Sequence, residues 1–148
     1  MKFIADVMLG RLAKRMRLMG FDVLYDRNLN DNEIIRLSLE QDRTILTRDR
    51  ALVERPLATD HLLIQSDNVQ EQLTQLLACF SSPPHTIHFT RCSECNKLLV
   101  PISKEDAKDI VPRYVYEKND EFLQCLECGR IYWKGTHVRR LTILAEKK

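Results

Sequence analysis

Four cysteines fall in two pairs with metal-ligand spacing, Cys92-Ser93-Glu94-Cys95 and Cys125-Leu126-Glu127-Cys128. A pair of thiolates spaced this way wraps one side of a Zn²⁺ ion, and two such pairs complete a tetrahedron. Asn96 and Gly129 directly follow the pairs, and both residue types tolerate the left-handed turn that closes a knuckle. Cys92, Cys95, Cys125 and Cys128 are therefore assigned to one structural Zn²⁺. Redox chemistry would need only one Cys-x-x-Cys on a thioredoxin-like unit. The 29 residues between Cys95 and Cys125 exceed the usual ribbon spacing, so an insert containing Pro101 and Pro112 is expected to loop out. A module this small has little core, which leaves most of its stability to the ion. The remaining cysteine, Cys79, lies on the apolar face of a predicted helix and reads as core.

A second chemistry lies in the acidic residues. Three apolar strand candidates end in an aspartate (Asp6, Asp49 and Asp67), and Asp31 opens a helix. In an open parallel sheet, ligands gather outside the carboxyl ends of the strands, where residues distant in sequence meet. Converging carboxylates repel each other. Mg²⁺ or Mn²⁺ relieves that repulsion, activates water and stabilises charge developing on a phosphodiester. Each aspartate taken alone reads equally well as a cap or turn residue, so the case rests on their convergence. Asp26 ends a strand too, whereas Asp22, Asp42 and Asp60 read as turn residues.

Basic residues accompany the acidic ones. Arg11, Lys14, Arg15 and Arg17 follow Asp6 within one helix, and Arg48 and Arg50 flank Asp49. Cations so placed offset the charge of a polyanion approaching an acidic pocket. Arg11 and Arg15 share one helix face; without a ligand, that face is simply solvated. Towards the C-terminus, Tyr132 and Trp133 could stack on unpaired bases, with Lys134, Arg139 and Arg140 holding phosphate. Packing of Trp133 against the main domain is the alternative. His137 reads as a substrate contact or as a structural histidine, and His61, His85 and His88 carry no signal.

The elements that must position these groups alternate. Lys2–Ala5 is a short apolar strand, and apolar residues recur at helical spacing from Val7 to Met19, with Gly20 as the stop. Strands follow at 21–25, 44–47 and 61–65. One helix begins at Asn30 with Glu33 three residues on, as in a capping box, and another spans about 68–80. This β-α-β-α-β order predicts a parallel sheet with helices on its faces. Ser81-Ser82-Pro83-Pro84 reads as a linker, which divides the chain into 1–84 and 85–148.

The 148 residues carry 23 basic and 21 acidic side chains, a formal charge of +2, so nucleic-acid binding must come from local patches. Four zinc-bound thiolates would bring that total to about neutral. Residues 1–80 are net −1 and residues 81–148 net +3. No apolar run is long enough to span a bilayer, and charges interrupt any signal-like core at the N-terminus. A cytoplasmic protein with reduced thiols and no membrane partner is expected.

Over nearly the whole chain, Phe3-Ile4-Ala5-Asp6, Leu9-Gly10-Arg11-Leu12-Ala13, Leu18-Met19-Gly20-Phe21-Asp22, Thr47-Arg48-Asp49-Arg50, Arg91-Cys92-Ser93-Glu94-Cys95-Asn96 and the segment Cys125 to His137 resemble the Mut-seven C-terminal ribonuclease family. The resemblance implies a PIN-like three-layer α/β/α sandwich with a mostly parallel sheet, followed by a C-terminal zinc ribbon. It further implies divalent-metal-dependent cleavage of RNA, with Asp6 and Asp49 on the acidic positions of the active site. Asp31 is then the third ligand, with Glu33 competing for that role, and Asp67 is a weaker fourth. Arg48 stands where many PIN domains have a small polar residue, and it either binds the scissile phosphate or weakens metal binding.

The expectation is a PIN-like endoribonuclease acting on single-stranded RNA through metal-activated water. Asp6, Asp31, Asp49 and Arg48 would be catalytic, Asp6, Asp31, Asp49 and Asp67 would bind Mg²⁺ or Mn²⁺, and Arg11, Arg15, Trp133, Lys134 and His137 would bind RNA. The alternatives are a non-catalytic RNA-binding or ribosome-associated zinc-ribbon module, and a toxin of a toxin–antitoxin pair.

Overall fold

A computed structural model describes residues 1–79 and 90–134. Four short strands form a parallel sheet: β1 (Lys2–Ala5), β2 (Asp22–Leu24), β3 (Thr44–Thr47) and β4 (His61–Leu63), in the order β2-β1-β3-β4. Apolar partners sit opposite one another in register, Phe3 with Val23, Ile4 with Ile45 and Leu46 with Leu62. The near-continuous apolar strands reflect cover on both faces. Alternation along β1 divides the core. Phe3 and Ala5 pack with Leu12, Met16, Leu73 and Leu76 of α1 (Gly10–Leu18) and α4 (Val69–Ala78). Ile4 packs on the opposite face with Ile34, Ile35, Ile45 and Leu52 of α2 (Asp31–Gln41), β3 and α3 (Arg50–Val53). The result is the expected three-layer α/β/α arrangement.

Local chemistry sets where the helices begin and end. Helix α1 starts one turn later than the periodicity predicts, because Asp6 caps a 3₁₀ turn at Val7–Leu9 through Val7 N–H at 2.6 Å. Gly20, at φ 96°, ends α1 in the left-handed region, as expected. The Asn30–Glu33 capping box is present at the start of α2. Asp42 is not a simple turn residue: it is the left-handed C-cap of α2, at φ 54°. Helix α3 has four residues, too few for periodicity to reveal. Cys79 is a correction. It is the C-cap of α4 and is exposed, its thiol donating to the Gln75 carbonyl at 3.4 Å.

The insert between the cysteine pairs does not loop out. It folds as β5 (Val100–Ile102), α5 (Lys104–Ala107), α6 (Arg113–Lys118) and β6 (Phe122–Gln124), and β7 (Ile131–Tyr132) completes an antiparallel sheet β5-β6-β7. Its own core of Ala107, Val111, Val115 and Phe122 explains why the spacing can be so long.

The first cysteine knuckle docks on the free edge of β2. Asn96 Oδ1 accepts from Val23 N–H at 3.2 Å, and Arg17 Nε donates to the Val23 carbonyl at 2.9 Å. Arg17 also donates to the carbonyls of Ser93 and Glu94, and Lys14 pairs with Glu94 at 2.9 Å. Arg17 is therefore buried and structural, not part of a solvated face. Asp22, expected as a turn residue, joins Arg43 and Asn96, each at 2.9 or 2.8 Å. Burial would raise its pKa, but these two hydrogen bonds and the Arg43 charge outweigh burial and hold it below the usual value. The boundary drawn at 84/85 lies outside the described residues.

Gly10 has a steric role. A Cβ there would meet the Tyr25 hydroxyl oxygen at 2.8 Å, and that hydroxyl is held on the Val7 carbonyl at 2.9 Å. Gly10→Ala is expected to lower stability by about 1 kcal/mol in denaturant unfolding, overpacking outweighing the gain in helix propensity. In a Tyr25→Ala background the same change should be neutral or stabilising. Equal losses in both backgrounds would contradict the steric account.

Candidate functional site

The connections of the sheet pick out one place on it. From β1 the chain crosses by α1 to β2 on one side; from β3 it crosses by α3 to β4 on the other, over the opposite face. The strand order therefore reverses between β1 and β3, and a crevice opens at their carboxyl ends. Asp6 and Asp49 lie there.

Asp6 extends the ladder by one residue, its N–H donating to the Leu46 carbonyl at 2.9 Å. Its side chain is 6% exposed, and both oxygens are bonded. Oδ1 accepts from Val7 N–H at 2.6 Å, and Oδ2 accepts from the Thr47 hydroxyl at 2.8 Å. The same hydroxyl accepts from Asp49 N–H at 2.9 Å. Asp49 in turn caps α3, its Oδ1 accepting from Ala51 N–H at 2.8 Å. Thr47 is fully buried and links the two aspartates. Sequence reasoning did not single out Thr47; the available signal was a hydroxyl ending an apolar strand two residues before Asp49.

The remaining acidic candidates reach the same edge of the sheet without joining this network. Asp31 is the first residue of α2, half-buried, and has no partner among the described residues. Glu33 is held by the capping box, its carboxylate accepting from Asn30 N–H at 2.9 Å. Asp67 is exposed in the turn after β4. Among the described residues, no three carboxylates bring their oxygens within 4.8 Å of one another; the four cysteines are the group that meets this distance.

The basic residues divide by role. Arg48, beside Asp49, has its Nε buried with no acceptor among the described residues. Arg15 donates to Gln70 at 2.8 Å, while Arg11 and Arg50 are exposed. Trp133 packs against the Phe122 core of its own unit, and exposed Lys134 lies 3.8 Å from Glu121. His137, Arg139 and Arg140 lie outside the described residues.

The cysteine site has the geometry of a tetrahedral centre. All four sulfurs lie within 4.8 Å of one another, and Cys92 Sγ and Cys128 Sγ are 3.7 Å apart. Zn–S bonds of about 2.3 Å require sulfurs about 3.8 Å apart. Asn96, at φ 61°, and Gly129, at φ 77°, close the knuckles, their N–H groups donating to the carbonyls of Cys92 and Cys125 at 2.9 and 2.8 Å. Burial opposes ionisation of Cys92, but hydrogen bonds from Tyr132 and the Cys95 N–H outweigh it and bring its pKa down to about 7. Cys95 is pushed up to about 12 by burial and by the neighbouring thiols of Cys128 and Cys92. A divalent cation removes this mutual opposition, and the cluster is compatible with structural zinc.

Tyr132 supports that centre. Its hydroxyl lies 3.0 Å from Cys92 Sγ and 3.1 Å from both the N–H and the hydroxyl of Ser93. Tyr132→Phe is expected to speed zinc release to a chelator by about tenfold with the fold retained. An unchanged release rate would show that the hydroxyl does not support the thiolates.

No described helix is long and apolar enough to cross a membrane. No curated protein and no solved structure matches the chain. The family model described as Mut7-C RNAse domain matches residues 1–144, and the chain belongs to that family.

Proposed function

We propose that this ribonuclease-type chain cleaves single-stranded RNA at the β1–β3 crevice with Mg²⁺ or Mn²⁺ held by Asp6 and Asp49. The observation that carries the reading is the Thr47 hydroxyl, which ties the two aspartates together at the point where the strand order reverses. Oxygen donors of this kind suit a hard cation, and Mg²⁺ commonly takes one or two carboxylates and keeps several waters. Asp31 and Asp67 would join from the same edge. A bound cation would activate water and neutralise charge developing on the phosphodiester.

The chain's own residues then have distinct tasks. Thr47 fixes the Asp6 carboxylate and the Asp49 backbone at once. Arg48 supplies a guanidinium with an unused donor to the phosphate. Arg11 and Arg15, on the helix after Asp6, draw in the backbone, and the zinc-bearing unit, with Trp133, Lys134 and His137, extends the RNA surface. Division into functional units 1–84 and 85–148 belongs to this proposal, as does a cytosolic location, which keeps the zinc thiols reduced.

One observation favours a non-catalytic RNA-binding module: the third and fourth carboxylates stand apart from the Asp6–Thr47–Asp49 network. Cleavage of labelled RNA in Mn²⁺ separates the two readings. Wild type should cleave, Asp6→Asn and Asp49→Asn should be slower by on the order of 100-fold or more, and Thr47→Val by about 10- to 100-fold, all with unchanged zinc content. Salt-sensitive RNA binding without turnover, or equal cleavage by the aspartate variants, would overturn the nuclease mechanism.

A further inference from the structure

A groove of about 650 Å³ runs along the free edge of β2, walled by the first cysteine knuckle. Arg43, Arg91, Lys97, Leu98, Leu24 and Tyr25 are among its lining residues. Its cations are not equivalent. Arg43 is engaged with Asp22, Gln41 and the Phe3 carbonyl through Nε and Nη1. Arg91 makes one bond, to the Asn96 carbonyl at 2.8 Å, and its Nε is buried without an acceptor among the described residues. Lys97 is well exposed and, among the described residues, reaches only Glu127, 3.8 Å away. Leu98 is 63% exposed, an apolar side chain left bare beside two underused cations.

The groove also leads somewhere. Tyr25 lines it, and the Tyr25 hydroxyl lies on the carbonyl of Val7, the residue after Asp6. Val7 and Met8 are themselves exposed apolar residues next to Asp6. A ligand matching this surface must carry repeated anionic groups and flat apolar faces along a flexible chain. A single-stranded polynucleotide has that chemistry: phosphates for Arg91 and Lys97, bases for Leu98, Leu24 and the Tyr25 ring.

We infer that the groove between β2 and the first cysteine knuckle is the path by which single-stranded RNA reaches the Asp6–Asp49 crevice, with Arg91 and Lys97 as its phosphate contacts. This inference rests on the proposed nuclease reading for the end of the path, not for binding along it. It also gives the docking of the knuckle on Val23 a use: the groove has its second wall only while the knuckle is seated on β2.

The test measures affinity for a fluorescent single-stranded RNA across a salt series, using full-length zinc-loaded protein carrying Asp49→Asn to prevent cleavage. Arg91→Ala and Lys97→Ala should each weaken binding several-fold and reduce the slope of log K against log salt by about 0.7, the value for one lost phosphate contact on a single strand. Arg113→Ala, at an exposed residue of α6 that does not line the groove, should change neither quantity. If Arg91→Ala loses zinc, Lys97→Ala and Leu98→Ser carry the test. Unchanged affinity and slope in zinc-loaded Lys97→Ala and Arg91→Ala or Leu98→Ser would overturn the groove. Cleavage by wild type distinguishes the two failures: an active enzyme with an unchanged slope sinks only the groove, and an inactive one with a groove-dependent slope sinks only the nuclease reading.

Discussion

A carboxylate drawn almost wholly out of water must have its oxygens bonded by the protein, and Asp6 meets that requirement with one backbone N–H and one hydroxyl. The hydroxyl belongs to Thr47, which has only one proton to donate. Giving that proton to Asp6 leaves its oxygen as the acceptor for Asp49 N–H, so the position of one aspartate fixes the other. The pairing holds because β1 and β3 are neighbours in register, Ala5 opposite Leu46, which brings the residues after each strand together. The two layers of helices, the apolar strands and the reversal of strand order all serve to hold that short stretch of chain in place.

The four-cysteine unit is built into this arrangement, not simply appended to it. An unpaired strand edge exposes N–H and C=O groups that invite wrong partners. At β2 they are taken by Asn96 and by Arg17. Asn96 reaches Val23 from a left-handed position in a cysteine knuckle, so the turn that shapes the metal site also closes the sheet. Tyr25 follows the same strand and touches Val7 beside Asp6. Metal site, sheet edge and acidic crevice thus form one connected run of contacts.

Much of this was legible in the residues. The apolar runs gave all four parallel strands, Asn30 and Glu33 gave the start of α2, and the cysteine spacing with Asn96 and Gly129 gave the knuckles. Asp6 and Asp49 end strands that the structure places side by side, as their apolar runs suggested. What could not be read depends on pairings distant in sequence. Arg17 looks like its basic neighbours until β2 and the Ser93–Glu94 backbone enclose it, and Asp22 looks like a turn until Arg43 and Asn96 arrive. Thr47 offers only a hydroxyl at the end of an apolar strand until Asp6 is placed beside it. The folded insert escaped notice because its helices have only four and six residues, below the length at which periodicity speaks.

The central claim is that Asp6 and Asp49 act as one cation site. Titration of zinc-loaded protein with Mn²⁺, followed by the loss of the free-ion electron paramagnetic resonance signal, tests it most directly. The account expects saturable binding in the wild type that is strongly weakened by either Asp6→Asn or Asp49→Asn, with zinc content unchanged. Equal Mn²⁺ binding by all three proteins would contradict it.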